Sequence, residues 1–195
     1  MIASRISQSW RAVIVTLWIA QAASVSGMQS SNTKYLEWEA STGRIVLPVA
    51  DLQKTSLHDS FNDMHNGHLH HAIDIMQPRG TPVLAVTDGI VAKLYDSKAG
   101  GNTIYEFDNP QRFCFYYAHL NNYATGLREG SHIYRGNVIG YVGSTGNANA
   151  PHLHFAIYEL DSTRAWWKGM PIDPFPVLAI AADKSRNVNH QTPSR

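Results

Sequence analysis

Arg112-Phe113-Cys114-Phe115-Tyr116-Tyr117-Ala118-His119-Leu120 is dense in aromatic side chains and reads as a β-strand. Asp108-Asn109-Pro110 turns the chain into it. Side chains alternate faces along a strand, so Phe113, Phe115, Tyr117 and His119 are expected on one face. His119 then ends an aromatic row, where the row meets a cleft. Working outward, the same rhythm recurs. Arg44-Ile45-Val46-Leu47, Pro82-Val83-Leu84-Ala85-Val86, Ile90 to Tyr95, Thr103 to Phe107, Asn137 to Gly143 and Leu153 to Leu160 are short extended segments between Gly, Asn and Pro turns. Asp88-Gly89 is expected to join two of them as a hairpin. No long window from Gly43 onward has helical periodicity, although residues 52–66 hold room for a turn or two. This patterning predicts an all-β, single and mostly antiparallel sheet or open barrel with long loops around a groove.

The chain has 195 residues, 44% hydrophobic and 16% charged, enough for one domain with its own core. Its 16 basic and 15 acidic side chains leave a net charge of +1 with no basic stripe, which argues against a nucleic-acid partner. Cys114 is the single cysteine and excludes both an internal disulfide and a cysteine-based zinc site. Residues 1–26 carry a mildly basic start, the apolar run Ala12 to Ala20 and small residues after it. That is the pattern of a secretory signal peptide, or else of an uncleaved N-terminal membrane anchor; export to the periplasm, cell envelope or exterior follows from either. Residues 27–42 read as a linker arm, 43–178 as the folded domain, with Met170 to Pro176 extended and proline-locked, and 179–195 as a flexible tail. A monomer is expected.

The ten histidines are the compositional oddity. In Pro151-His152-Leu153-His154-Phe155, strand alternation points His152 and His154 to one face and Leu153 and Phe155 into apolar packing. A second cluster holds His65, His68, His70, His71 and Asp74. Hydrolytic zinc takes three protein ligands and keeps one position for water. His70 and Asp74, four apart, together with His154 supply two imidazoles and a carboxylate. The remaining ligand, a metal-bound water, would be the nucleophile, with His152 as its general base. His119 would hold that water or stabilise a developing oxyanion. Asp74 lies between Ile73 and Ile75, where an unpaired carboxylate is costly, so it needs a metal or an arginine as partner. His65, His68 and His71 read as neighbours of the ligand or as a loop touching substrate. Iron and manganese suit the same ligand types, but zinc is preferred.

These motifs carry a resemblance. His70-x-x-x-Asp74-Ile75, followed by Pro78-Arg79-Gly80-Thr81-Pro82-Val83 and Asp88-Gly89-x-Val91, resembles the first motif of the M23 (LytM/lysostaphin-like) zinc metallopeptidases. Tyr117-Ala118-His119-Leu120, Gly140 to Asn147, and Pro151 to Phe155 resemble the rest in the family's order. The resemblance spans residues 43–178, with Ala72 where the family usually has glycine. It implies Zn2+ at His70, Asp74 and His154, catalytic histidines at His119 and His152, and endopeptidase action on the stem or cross-bridge peptides of bacterial peptidoglycan. The alternative is a non-catalytic wall-binding or amidase-activating module on the same fold. A lipoyl-type carrier, suggested by Gly130, Gly136, Gly140 and Gly143, is disfavoured because no lysine lies between Lys98 and Lys168.

Overall fold

The computed structural model describes residues 31–50, 52–65 and 67–189, so the apolar run of residues 12–20 lies outside it. Among the described residues, nine strands join in one antiparallel sheet. These are β3 (Ile73–Met76), β4 (Pro82–Leu84), β5 (Gly89–Ser97), β6 (Gly101–Asp108), β7 (Phe113–Tyr123), β8 (His132–Ile133), β9 (Val138–Val142), β10 (His152–Leu160) and β11 (Gly169–Ile172). A separate two-stranded hairpin, β1 (Met64–His65) and β2 (His68–Leu69), sits in the loop before β3. The main path runs β11-β10-β7-β6-β5-β8. Two long strands hold it together. β7 pairs β10 through its first half and β9 through its second, while β10 pairs β3 near its start and β11 near its end. The mostly antiparallel all-β expectation therefore holds.

Burial alternates where β3 meets the first half of β10. Ile73, Ile75, Leu153, Phe155 and Ile157 are buried, whereas Asp74, His152 and His154 are only partly covered. Phe113, Phe115 and Tyr117 lie on the same inner side. Each of these large apolar side chains contributes roughly 1.5–3 kcal/mol by leaving water.

Three expectations need correction. The hairpin at Asp88-Gly89 does not form. β4 pairs β9 and β5 pairs β6 and β8. Gly89 is required by close approach, since a Cβ there would lie 1.9 Å from the Phe107 carbonyl oxygen. Asp88 instead accepts hydrogen bonds from the Arg135 backbone and guanidinium at 2.9 and 3.0 Å. Residues 31–42, read as part of a linker arm, form a helix, α1. Its Leu36 and Ala40 are buried, and Tyr35 stacks on Phe113 with centroids 5.9 Å apart. Met170–Ile172 is extended within β11, but from Pro174 the proline-locked segment and the described part of the tail, residues 179–189, form a second helix, α2 (Pro174–Asn189). Asp173 accepts a 2.8 Å hydrogen bond from the Phe175 N–H, and proline suits the first helical position. Val177, Leu178, Ala181 and Ala182 bury the inner stripe of α2.

A fully buried carboxyl sits inside this core. Glu106 accepts hydrogen bonds from the Tyr117 hydroxyl and from the N–H of Thr87 at 3.2 Å. Burial nevertheless pushes its carboxyl from 4.5 up to about 8, against the opposing pull of those hydrogen bonds. A raised acid pKa stabilises the fold fully below the unfolded value, and that contribution is lost as pH rises through the folded one. Thermal unfolding should therefore show Glu106→Gln gaining Tm over the parent between pH 5 and pH 8.5. An equal Tm difference at the two pH values would contradict the assignment.

Candidate metal centre

The register of β3 against β10 builds the site. His154 is directly opposite Asp74, with Leu153 opposite Ile75 and Phe155 opposite Ile73. Burying the two isoleucines and their partners turns Asp74 and His154 outward together. His70 joins from the loop preceding β3. His154 Nδ1 lies 3.1 Å from both His70 Nε2 and Asp74 Oδ1, and the third side of the triangle, His70 Nε2 to Asp74 Oδ1, is 3.3 Å. Zinc bonds of ~2.0–2.2 Å at tetrahedral angles separate neighbouring donors by roughly 3.3–3.6 Å, so these three atoms fit one small cation to within a few tenths of an ångström. Among the described residues they are the one cluster of potential ligands this tight.

Asp74 finds three imidazoles and no arginine as ion-pair partners among the described residues. Burial by itself would raise its carboxyl. Hydrogen bonds and positive charge from His154 and His70 outweigh that and hold it well below the usual carboxylate range. Burial also opposes charge on His70, but the Asp74 hydrogen bond and charge win and raise its pKa. In His154 burial wins and lowers it. Paired carboxylate and imidazoles of this kind call for a cation at their centre.

Backbone carbonyls set the ring tautomers. A carbonyl oxygen only accepts, so the ring nitrogen facing it must carry the proton. His70 Nδ1 donates to Ser60 at 3.1 Å, His152 Nδ1 to Ala150 at 2.8 Å and His119 Nδ1 to Thr145 at 2.8 Å. In the uncharged form of each ring, Nε2 is then the nitrogen that carries the lone pair. Sequence gave no signal for these three carbonyls, because any residue type can supply one.

His119 reaches the site by an irregularity. Counting by twos put it on the inner face with Phe113, Phe115 and Tyr117. In the structure its φ is +61°, and the register between β6 and β7 shifts beside it. This bulge re-aims the ring outward, 4.7 Å from the His152 ring and 5.7 Å from His154. Burial lowers its pKa, with the neighbouring imidazoles adding to the effect. The adjoining wall is backbone on backbone: a Cβ on Gly146, at φ +74°, would lie 2.3 Å from the Ala99 carbonyl oxygen. That contact seats the loop whose Thr145 carbonyl orients His119.

All five residues line one groove of about 480 Å³, together with Ala99-Gly100 and Asn147 to Ala150. Tyr116 also lines it, edge-on to His154 at 5.9 Å. Its position opposite Phe115 and Tyr117 was readable from the alternation already applied to that strand. Of the crowded cluster, His68 is exposed on β2 and His71 tilts against Phe61 at 5.4 Å; both stand outside the triangle. Ala72 is fully buried, and the left-handed residue of this stretch is His71 at φ +53°, so the extra methyl requires no unusual backbone.

The peptidase family M23 model matches residues 68–174, more than half of the chain. The chain belongs to peptidase family M23. Among relatives within or beside this family, lysostaphin of Staphylococcus simulans is 38% identical over 117 residues, covering 60% of this chain and 22% of its own length. The L-Ala–D-Glu endopeptidase of Bacillus subtilis is 34% identical over 117 residues, 56% of this chain and 34% of its own. The solved structure of lysostaphin from S. simulans superposes with a TM-score of 0.58 at 26% identity, covering 78% of this chain and 59% of that one. The matched region thus spans about a third or less of these curated relatives. The M23 assignment and the open antiparallel sheet agree with the motifs read from the sequence.

Titration of purified protein with zinc should separate the ligand set from its neighbours. Asp74→Ala should weaken zinc more than about 100-fold, beyond the 10–100-fold cost of losing an outer partner, whereas His152→Ala should stay within that smaller range. The reverse order, read by competition with a chromogenic chelator, would overturn the triangle.

Proposed function

We propose that this chain is an exported zinc metalloendopeptidase that hydrolyses peptide bonds in the stem or cross-bridge peptides of bacterial peptidoglycan. The observation that carries this reading is the triangle of His70 Nε2, Asp74 Oδ1 and His154 Nδ1, with His119 and His152 on the same groove. Family membership supports peptidase chemistry. The names of the relatives support a peptide substrate: one is an L-Ala–D-Glu endopeptidase, another a glycyl-glycine endopeptidase. Export rests on the sequence of residues 1–26.

His70, Asp74 and His154 would hold zinc, which supplies a Lewis acid and a water acidic enough to ionise near neutral pH. The two remaining histidines then divide the proton work. His152 Nε2, freed by the Nδ1 bond to Ala150 and 3.6 Å from Asp74 Oδ1, is placed to take the proton of the attacking water. It returns that proton to the leaving amine. Burial favours the uncharged form of His119, whose ring proton is donated to Thr145. A neutral ring in that tautomer accepts at Nε2 and cannot donate to an oxyanion there. We therefore assign His119 to holding and orienting the water, rather than to the oxyanion. A non-catalytic binding module would leave this convergence of lone pairs without use.

Hydrolysis of purified peptidoglycan should stop on chelation and return with stoichiometric zinc. His152→Ala should lower kcat by about 10²–10⁴-fold, the usual share of a positioned base, while retaining bound zinc. Full activity after removal of the metal, or a His152→Ala variant that cuts normally, would contradict the mechanism.

A further inference from the structure

The outer face that carries the triangle continues along β10. His154 and Tyr158 are four residues apart on the same side of that strand, a spacing of roughly 13 Å. Around Tyr158 the face becomes aromatic. Tyr105 on β6 is paired opposite Tyr116 on β7, with ring centroids 4.7 Å apart. Trp166, from the loop between β10 and β11, lies 4.7 Å from Tyr105 and 5.5 Å from Tyr95, and Trp167 stands edge-on to it at 5.2 Å. Tyr105, Tyr116, Tyr158, Trp166, Trp167 and Lys168 line a second cavity of about 250 Å³, and Tyr116 lines both this cavity and the catalytic groove.

We propose that this aromatic cavity is a saccharide subsite that holds one sugar ring of the glycan strand while the attached peptide lies in the groove. The inference rests on the peptidoglycan reading above. Trp167 is 70% exposed, so its ring is open to a ligand, and it stands against the ring of Trp166 rather than alone. A pyranose ring is a suitable partner: its flat face of C–H groups stacks on the electron-rich face of an aromatic ring, and its hydroxyl edge takes hydrogen bonds. The cavity is lined by three hydroxyl-bearing rings, Tyr105, Tyr116 and Tyr158, and by Lys168, which is ion-paired with Asp161 at 3.0 Å and adds a cationic donor.

An extended peptide is the other candidate for such a surface, and the strand pairing argues against it. Peptides added to sheets bind unpaired strand edges. Here Tyr105 is paired on both sides, to Lys93 and Tyr116, and Tyr158 likewise, to Cys114 and Pro171. Only ring faces and side-chain donors are on offer. The spacing also fits a branched polymer. An extended peptide advances about 3.3–3.6 Å per residue, so the distance from triangle to platform corresponds to about four residues between the cleaved bond and the sugar.

The test uses the intact protein and β-1,4-linked N-acetylglucosamine oligomers. Titration should change the intrinsic tryptophan fluorescence, and Trp167→Ala should weaken binding about tenfold while Trp167→Phe retains most of it. Trp167→Ala should also lower the rate on intact peptidoglycan, relative to the rate on a sugar-free stem peptide, by about the same factor. Oligomers that leave the parent fluorescence unchanged, or bind Trp167→Ala equally well, would overturn the subsite. So would an equal loss on both substrates, which would assign the platform to peptide. If the parent cuts neither substrate, the peptidase reading fails, and the sugar titration still decides whether the subsite exists.

Discussion

Pairing of β3 with β10 in a single register, His154 opposite Asp74 and Leu153 opposite Ile75, is the constraint on which the site depends. A slip of one residue would exchange the faces of β3. Asp74 would enter the core and Ile73 and Ile75 would meet water. The apolar gain of the four inward side chains, roughly 1.5–3 kcal/mol each, therefore fixes the position of a carboxylate and an imidazole that contribute nothing to that gain. Chemistry on the outer face is held in place by packing on the inner one.

The second layer of control is made of backbone. Carbonyls of Ser60, Ala150 and Thr145 choose which nitrogen of His70, His152 and His119 carries a proton. Each carbonyl belongs to a loop, and each loop is anchored by the sheet. The Thr145 loop is seated by the close approach of Gly146 to Ala99, and His119 itself turns outward only because β7 bulges at that residue. The ring tautomers, the pairing of Asp74 with His154 and a shared groove then follow from strand register, one bulge and three loop carbonyls.

Much of this was legible in the sequence, for identifiable reasons. Alternation over residues 152–155 gave the faces of β10. The cost of Asp74 between two isoleucines demanded a partner, which the imidazoles of His70, His152 and His154 provide. Ordered motifs gave the family. What was hidden depended on nonlocal pairing or on a break in periodicity. Period-two counting cannot foresee a residue at φ +61°, so His119 was placed on the wrong face. Asp88-Gly89 has the chemistry of a hairpin turn, yet its partners, Phe107 and Arg135, come from elsewhere in the chain. The helix at Pro174–Asn189 was readable and was misread: Asp173-Pro174 is a cap followed by a first-turn proline, and Val177, Leu178, Ala181 and Ala182 keep a helical stripe.

On the proposed function, one metal ion would sit among His70, Asp74 and His154 and nowhere else on this face. Anomalous diffraction at the zinc edge, from crystals of the zinc-loaded protein, tests it most directly. The predicted result is one full-occupancy peak within about 2.0–2.2 Å of His70 Nε2, Asp74 Oδ1 and His154 Nδ1, with His119 and His152 near the ion but unbound. A peak ligated by His152 or His119, a peak in the loop around His68 and His71, or no peak at all would contradict it.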